Sequence, residues 1–241
     1  FIIKFHILYE SRFIMIISIS QPTFFPWIGY FNIIKNSDVF IFLDNVKFQK
    51  HSWQMRNRIK NISKNSDSEV WMFVPTKGVK SDTLIKDVII DNSKNWKQKH
   101  IKTLKNNYSK SFEQIKFLTQ IYDNEWNKLA DFNIESITKC CQYLGIKTKL
   151  IKASDLLVMG KKSELVLNIC KELNADEYFA AAGSKDYLED YKDDFEDAGI
   201  KITYHNYAHP IYKQKGNRFL PNLSILDLIL SELENVYKFI N

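Results

Sequence analysis

Short apolar runs recur along the chain at 16–20, 39–43, 70–74, 88–90, 148–151, 177–180 and 201–204. Several lack polar alternation, which predicts strands covered on both faces. Between them the apolar positions fall at helical spacing over 27–35, 96–108, 112–122, 125–144, 161–173, 184–198 and 223–239. The alternation predicts an α/β fold: a mostly parallel sheet flanked by helices, with a helical insertion in the middle of the chain over 96–144. Gly145 and Gly199 each follow a helical run and precede an isoleucine, the expected helix-ending chemistry. Asn133 interrupts the apolar stripe of the 125–144 helix, so its amide either ties that helix to another element or lines a site.

Within 241 residues no Pro/Gly/Ser-rich linker, repeat or low-complexity tract divides the chain, and one domain over 15–241 is expected. The polar stretch 61–68 reads as a mobile loop. Residues 1–14 are apolar but broken by Lys4, His6, Glu10 and Arg12, too interrupted to span a bilayer. They read as an over-extended start before Met15, and no membrane insertion is expected. Cys140, Cys141 and Cys170 lie in apolar helical runs without a CxxC, and read as reduced core residues of a cytoplasmic protein.

The net charge of +6 comes from lysines scattered through the chain. A nucleic-acid reader would gather them on one stripe with stacking aromatics; Lys94, Lys97, Lys99, Lys102 and Lys105 spread around a helix, so no nucleic-acid partner is expected. Arginine is scarce: Arg12, Arg56, Arg58 and Arg218 are the only four among 34 basic residues. Where lysine is the default cation, arginine points to its planar donor fork, used on a phosphate or carboxylate or in a structural ion pair.

The densest feature is 21–31, Gln-Pro-Thr-Phe-Phe-Pro-Trp-Ile-Gly-Tyr-Phe, with two prolines and five aromatics directly after the first apolar run. Pro22 and Pro26 stiffen the exit from a strand, where α/β proteins hold ligands. Gln21, Trp27 and Tyr30 read as substrate contacts; the alternative is that the aromatics pack the sheet onto the first helix. Asp44 follows the second strand run, as a catalytic carboxylate or a turn cap. Trp53, Arg56 and Asn57 resemble a clamp, an aromatic face beside forked cations; on a helix Arg56 falls one turn from Trp53 and Arg58 points elsewhere. His100 shares a helix face with Trp96, as a packed residue or a ligand contact. His209 precedes Pro210, which holds its backbone extended, and its imidazole suits a general base at neutral pH or a structural role. Tyr212 and Gln214 flank that turn, and Asp227 is a charge inside an apolar helix that requires a partner such as Arg218, Arg56 or His209.

Residues 21–31, the 44–59 segment with Trp53 and Arg-Asn-Arg, and 209–228 with His-Pro-Ile-Tyr-Lys-Gln and Phe-Leu-Pro-Asn-Leu-Ser together resemble the WbqC-like protein family; 96–100 and 178–188 are shorter matches. Ser20 departs from the histidine often found before Gln-Pro, and 180–184 is less glycine-rich than in the family, against a phosphate role for that backbone. The resemblance implies a transferase of O-antigen or capsule polysaccharide biosynthesis. Its partners would be a nucleotide-linked amino sugar and an acyl or aminoacyl (such as glycyl) donor. In that reading Arg56 and Arg218 hold phosphate or carboxylate, Trp27, Tyr30 and Trp53 form walls, and His209 with Asp44 or Asp227 removes the amine proton. The alternative is a non-catalytic nucleotide-sugar-binding protein or a partner of a pathway enzyme. There is no GxSxG elbow, P-loop, GxGxxG, HExxH or paired-aspartate metal motif, and no cofactor or metal is identifiable.

Overall fold

The computed structural model describes residues 14–62 and 68–240. The expected extension at 1–14, except Ile14, and most of the expected 61–68 loop lie outside them. In chain order the elements are β1 (Ile16–Ser20), α1 (Ile28–Lys35), β2 (Val39–Phe42), β3 (Arg56–Lys60), β4 (Glu69–Phe73), β5 (Thr76–Lys77), β6 (Ile89–Ile90), α2 (Trp96–Gln114), α3 (Lys116–Asp123) and α4 (Leu129–Tyr143). They continue as β7 (Lys149–Lys152), α5 (Lys162–Glu172), β8 (Glu177–Ala180), α6 (Lys185–Leu188), α7 (Lys192–Asp197), β9 (Lys201–Tyr204) and α8 (Ile225–Glu232).

Five of the seven expected strand runs build one sheet of order β7-β2-β1-β8-β9, parallel throughout. β2, Val-Phe-Ile-Phe, is buried at every position, as its unbroken apolar run requires. Its residues divide by parity between two cores. Val39 and Ile41 join Ile17 and Ile19 against α5 and α7, whereas Phe40 and Phe42 join the aromatic core beneath α1, α2, α4 and α8.

The other two runs leave the sheet. β4 pairs antiparallel with β3, and β6 with β5. β3 rules out the helical geometry weighed for Trp53 and Arg56: Arg56 and Arg58 alternate with the buried Asn57 and Ile59, the period of a strand. The insertion expected at 96–144 is present as α2, α3 and α4, with Ser109 (φ 40°) kinking α2. The 184–198 run splits into α6 and α7, and the last helix stops at Leu233, where φ turns to 49°.

Candidate functional site

β1 lies between β2 and β8, and the chain leaves β1 toward one edge of the sheet while β8 and β9 extend the other. In open parallel sheets the crevice beyond the carboxyl ends of two such strands is the natural ligand site. The loop that leaves β1 here is stiff and stitched down. Phe25 sits at φ 37°, a left-handed conformation that disfavours a bulky side chain, so its neighbours must hold it there. The Asn57 amide donates to the carbonyls of Phe24 (3.3 Å) and Phe25 (2.8 Å), the Ser224 hydroxyl donates to Phe25 (2.8 Å), and the Ile225 N–H donates to Pro26 (2.8 Å). The Phe24 N–H donates to the Trp53 carbonyl (2.8 Å), joining the loop to the start of the β3–β4 hairpin. Asn133 reaches from α4 to the carbonyls of Pro22 (3.1 Å) and Gln54 (2.7 Å), so its buried amide ties elements together.

This bracing sorts the aromatics. Phe24 and Phe25 are buried against Phe132, the packing alternative, whereas Trp27 and Tyr30 face a cavity of about 450 Å³. Its wall also includes Ser20, Trp53, Asn57, Arg58 and Asn222. Gly29 makes the wall possible: a Cβ there would lie 2.2 Å from Cη2 of Trp27, whose ring folds back over the start of α1. Gln21 is held beside the cavity, its side-chain carbonyl accepting from the Gln54 amide (2.5 Å) and its backbone carbonyl from the Tyr30 hydroxyl (3.0 Å). A wider cleft of about 560 Å³, at Asp38, Gly145 and Thr148, lies at the opposite, amino-terminal edge of β2 and β7. The carboxyl edge is the better candidate, because there loops from separate strands converge.

Of the cations, Arg58 lines the cavity where Arg56 was expected to. Strand geometry explains the exchange: both guanidinium groups share a face of β3 and cover the Trp71 ring, at 4.8 Å for Arg56 and 5.8 Å for Arg58. Arg58 also pairs with Glu69 (2.9 Å), yet its buried Nε has no hydrogen-bond partner among the described residues. Trp53 stacks on Trp71, with centroids 5.7 Å apart. Trp71 and Phe73 were missed as candidates. The strand pattern of 69–73 holds the signal, since these aromatics occupy the face that Met72 does not, and both are exposed.

His209 stacks flat on Trp27 from outside the cavity, centroids 6.0 Å apart. Its Nδ1–H donates to the Pro210 carbonyl (2.8 Å) and its Nε2 accepts from the Asn222 N–H (3.1 Å). Partial burial lowers its pKa, favouring the neutral ring. Neither expected carboxylate reaches it. Asp44 accepts from the Ser154 N–H (2.9 Å) and hydroxyl (2.7 Å), capping the turn after β7. Asp227 is buried at the centre of a knot, accepting from the hydroxyls of Tyr212 (2.6 Å) and Tyr108, the Gln214 amide (3.0 Å) and the Lys60 N–H (3.2 Å). Burial raises its pKa. Tyr212 and Gln214 thus belong to that knot rather than to the cavity, and the Arg218 carbonyl accepts from the Lys60 ammonium beside it. His100 is a core residue: Nε2–H donates to the Phe73 carbonyl (3.0 Å), Nδ1 accepts from Tyr122 (3.3 Å), and burial pushes its pKa down to about 4.

No helix among the described residues is long and apolar enough to cross a membrane. The profile of the WbqC-like protein family matches residues 21–238. The uncharacterised protein Rv1507c of Mycobacterium tuberculosis is 32% identical over 222 residues, which cover 89% of this chain and 93% of that protein. No solved structure matches the chain. With a match across nearly its whole length, including the braced loop, the hairpin and the His-Pro turn, the chain belongs to the WbqC-like protein family.

Proposed function

We propose that the cavity at the end of β1 takes a nucleotide-linked amino sugar of surface-polysaccharide biosynthesis, and that the protein transfers an acyl or aminoacyl group to the sugar nitrogen. The observation that carries the binding half is the wall itself. It sets aromatic faces of Trp27, Tyr30 and Trp53 beside a guanidinium whose buried Nε lacks an acceptor. A phosphate or carboxylate oxygen in the cavity would meet the guanidinium as a charge-assisted donor, beside its pairing with Glu69. Sugar faces stack on such rings, and phosphate meets the arginine fork.

In the transfer step the amine lone pair attacks the donor's acyl carbon and the N–C bond forms. The donor's C–S or C–O bond breaks, its leaving group departs, and the amine gives up one proton. His209 lies one ring from the cavity, behind Trp27, and its low pKa suits a neutral proton acceptor. It can act only when the Asn222 N–H releases Nε2. That occupied nitrogen favours a second reading, binding without chemistry, since the cavity wall offers no carboxylate or free imidazole.

Incubation with UDP- and dTDP-linked amino sugars and thioester or aminoacyl donors, followed by mass spectrometry, separates the two. Transfer adds the acyl mass to the sugar nucleotide and is lost in His209→Gln; binding alone gives a calorimetric signal without product. Absence of both overturns the proposal.

A further inference from the structure

The hairpin borders a second groove, along β4. Where Trp71 and Phe73 face α2 they border a groove of about 600 Å³ whose cations are Lys94, Lys99 and Lys102. On the helix alone the lysines diverge. The groove selects those it uses: Lys99 and Lys102 are one turn apart on the face toward the hairpin, Lys94 joins them from the preceding turn, and Lys97 is drawn off to the Asn124 carbonyl (2.6 Å) and Glu125 (3.7 Å). Lys99 and Lys102 form no ion pair among the described residues, Lys94 has only the nearby Asp91 carboxyl, whose pKa Ser93 and then Lys94 lower, and all three are exposed. Arg56, over the Trp71 ring, likewise has neither hydrogen bond nor carboxylate there, and its contact is with the aromatic face. Phe73 and Trp71 are 56% and 42% exposed, much more than strand residues in a hairpin packed against a helix need.

Exposed cations gathered beside exposed rings match a ligand with several phosphates and one planar ring system. We infer that this groove binds a nucleoside polyphosphate. Its base stacks on Phe73, and its phosphates meet Lys94, Lys99 and Lys102, with Arg56 next to them across the Trp71 ring. The size of the groove suits one such molecule, since ligand pockets run from about 300 to 1,000 Å³. A nucleic-acid strand needs a longer track with more rings. Because β4 lines this groove and its hairpin partner β3 lines the β1 cavity, the ligand is assigned as carrier of the group to be transferred, the coenzyme A class. That assignment rests on the transferase reading; recognition of ring and phosphates stands without it.

The test is calorimetric titration of the full chain with coenzyme A, and separately with inorganic tripolyphosphate, at low and high salt. Coenzyme A should bind with one-to-one stoichiometry. Lys99→Glu/Lys102→Glu should weaken it at least about tenfold, and the wild-type affinity should fall with added salt. Phe73→Ala should weaken coenzyme A but leave tripolyphosphate unchanged, which separates loss of the ring platform from misfolding. Unchanged coenzyme A affinity in the double lysine variant overturns the inference. So does binding only to oligothymidylate with affinity rising with length, which would make the groove a nucleic-acid track. Titration of a UDP-linked amino sugar into the double variant keeps the two proposals apart: retained sugar binding with lost coenzyme A binding supports the groove, whereas coenzyme A binding without any sugar binding leaves the groove standing and removes the cavity reading.

Discussion

One strand, β3, carries two polar regions that sequence treats alike and structure separates. At its Lys60 end is the Asp227 knot, where the carboxylate takes hydrogen bonds from Tyr108, Tyr212, Gln214 and the Lys60 N–H. At its Arg56 end two guanidinium groups crowd one indole, one of them with a buried nitrogen left unmatched. Both ends put charge among aromatics, which is why both read as candidate chemistry. The first is saturated from within the chain and has nothing to offer a ligand; the second leaves donors over. Saturation, rather than burial or residue type, distinguishes a charge that holds a fold together from one that waits for a partner.

The comparison breaks most visibly at Asp227. Replacing it with alanine strands two buried hydroxyls, an amide and a backbone N–H, and the loss expected from removing one partner of a buried charged network is about 3–5 kcal/mol. At roughly 2–4 °C per kcal/mol for a chain of this size, that is a fall in Tm of about 6–20 °C by calorimetry. If Asp227→Ala melts like the wild type, the knot is not structural.

His100 provides the next effect, as a second saturated group. The unfolded histidine takes its proton near 6.5 and the folded one only near about 4, so between those values protons favour the unfolded chain. Stability should therefore fall as pH drops from 6.5 toward 4, by up to about 3 kcal/mol. Asp227 acts with the opposite sign, because a carboxyl raised by burial favours folding below its unfolded pKa and loses that contribution as pH rises through the folded one. The difference between wild type and His100→Gln in urea titrations across this range isolates the histidine. A difference independent of pH would mean that His100 is not held neutral by its burial.

The fold was legible where one element carries its own signal. The unbroken apolar runs at 16–20 and 39–43 gave the central strands, and the Gln-Pro-x-x-x-Pro stretch marked the edge at which the cavity opens, with Trp27 and Tyr30 on its wall. What failed depended on partners far away in the chain. Residues 53–58 show no clear apolar alternation, and their strand exists because 69–73 pairs with it, so a helical reading favoured Arg56 over Arg58 for the cavity. Asp227 was rightly marked as a buried charge in need of partners, but Tyr108 lies 119 positions away and the Lys60 N–H 167. Asp44, taken as an aid to His209, is held by Ser154, 110 positions on. Sequence exposes a need for hydrogen bonds; only the fold shows whether that need has been met.

Smaller effects sharpen the other side of the comparison. Gly29→Ala puts a methyl group into the Trp27 ring, which must swing away from the cavity, at a cost of about 1–3 kcal/mol in stability. Nucleotide-sugar affinity should fall with it, whereas coenzyme A affinity, which depends on the groove between β4 and α2, should not change. The least perturbing change is Arg56→Ala. With no side-chain hydrogen bond or carboxylate on Arg56 among the described residues, the fold loses a ring contact at 4.8 Å and little else, so urea unfolding should shift by less than about 0.5 kcal/mol. If the guanidinium is unpaired because it is kept for phosphate, the same variant should lose about tenfold in coenzyme A affinity, roughly one charge-assisted contact. A stable Arg56→Ala protein that binds as the wild type does would make the unpaired arginine an ordinary surface cation. A marked loss of stability would move Arg56 to the saturated class with Asp227, and the distinction between the two ends of β3 would then rest on Arg58 alone.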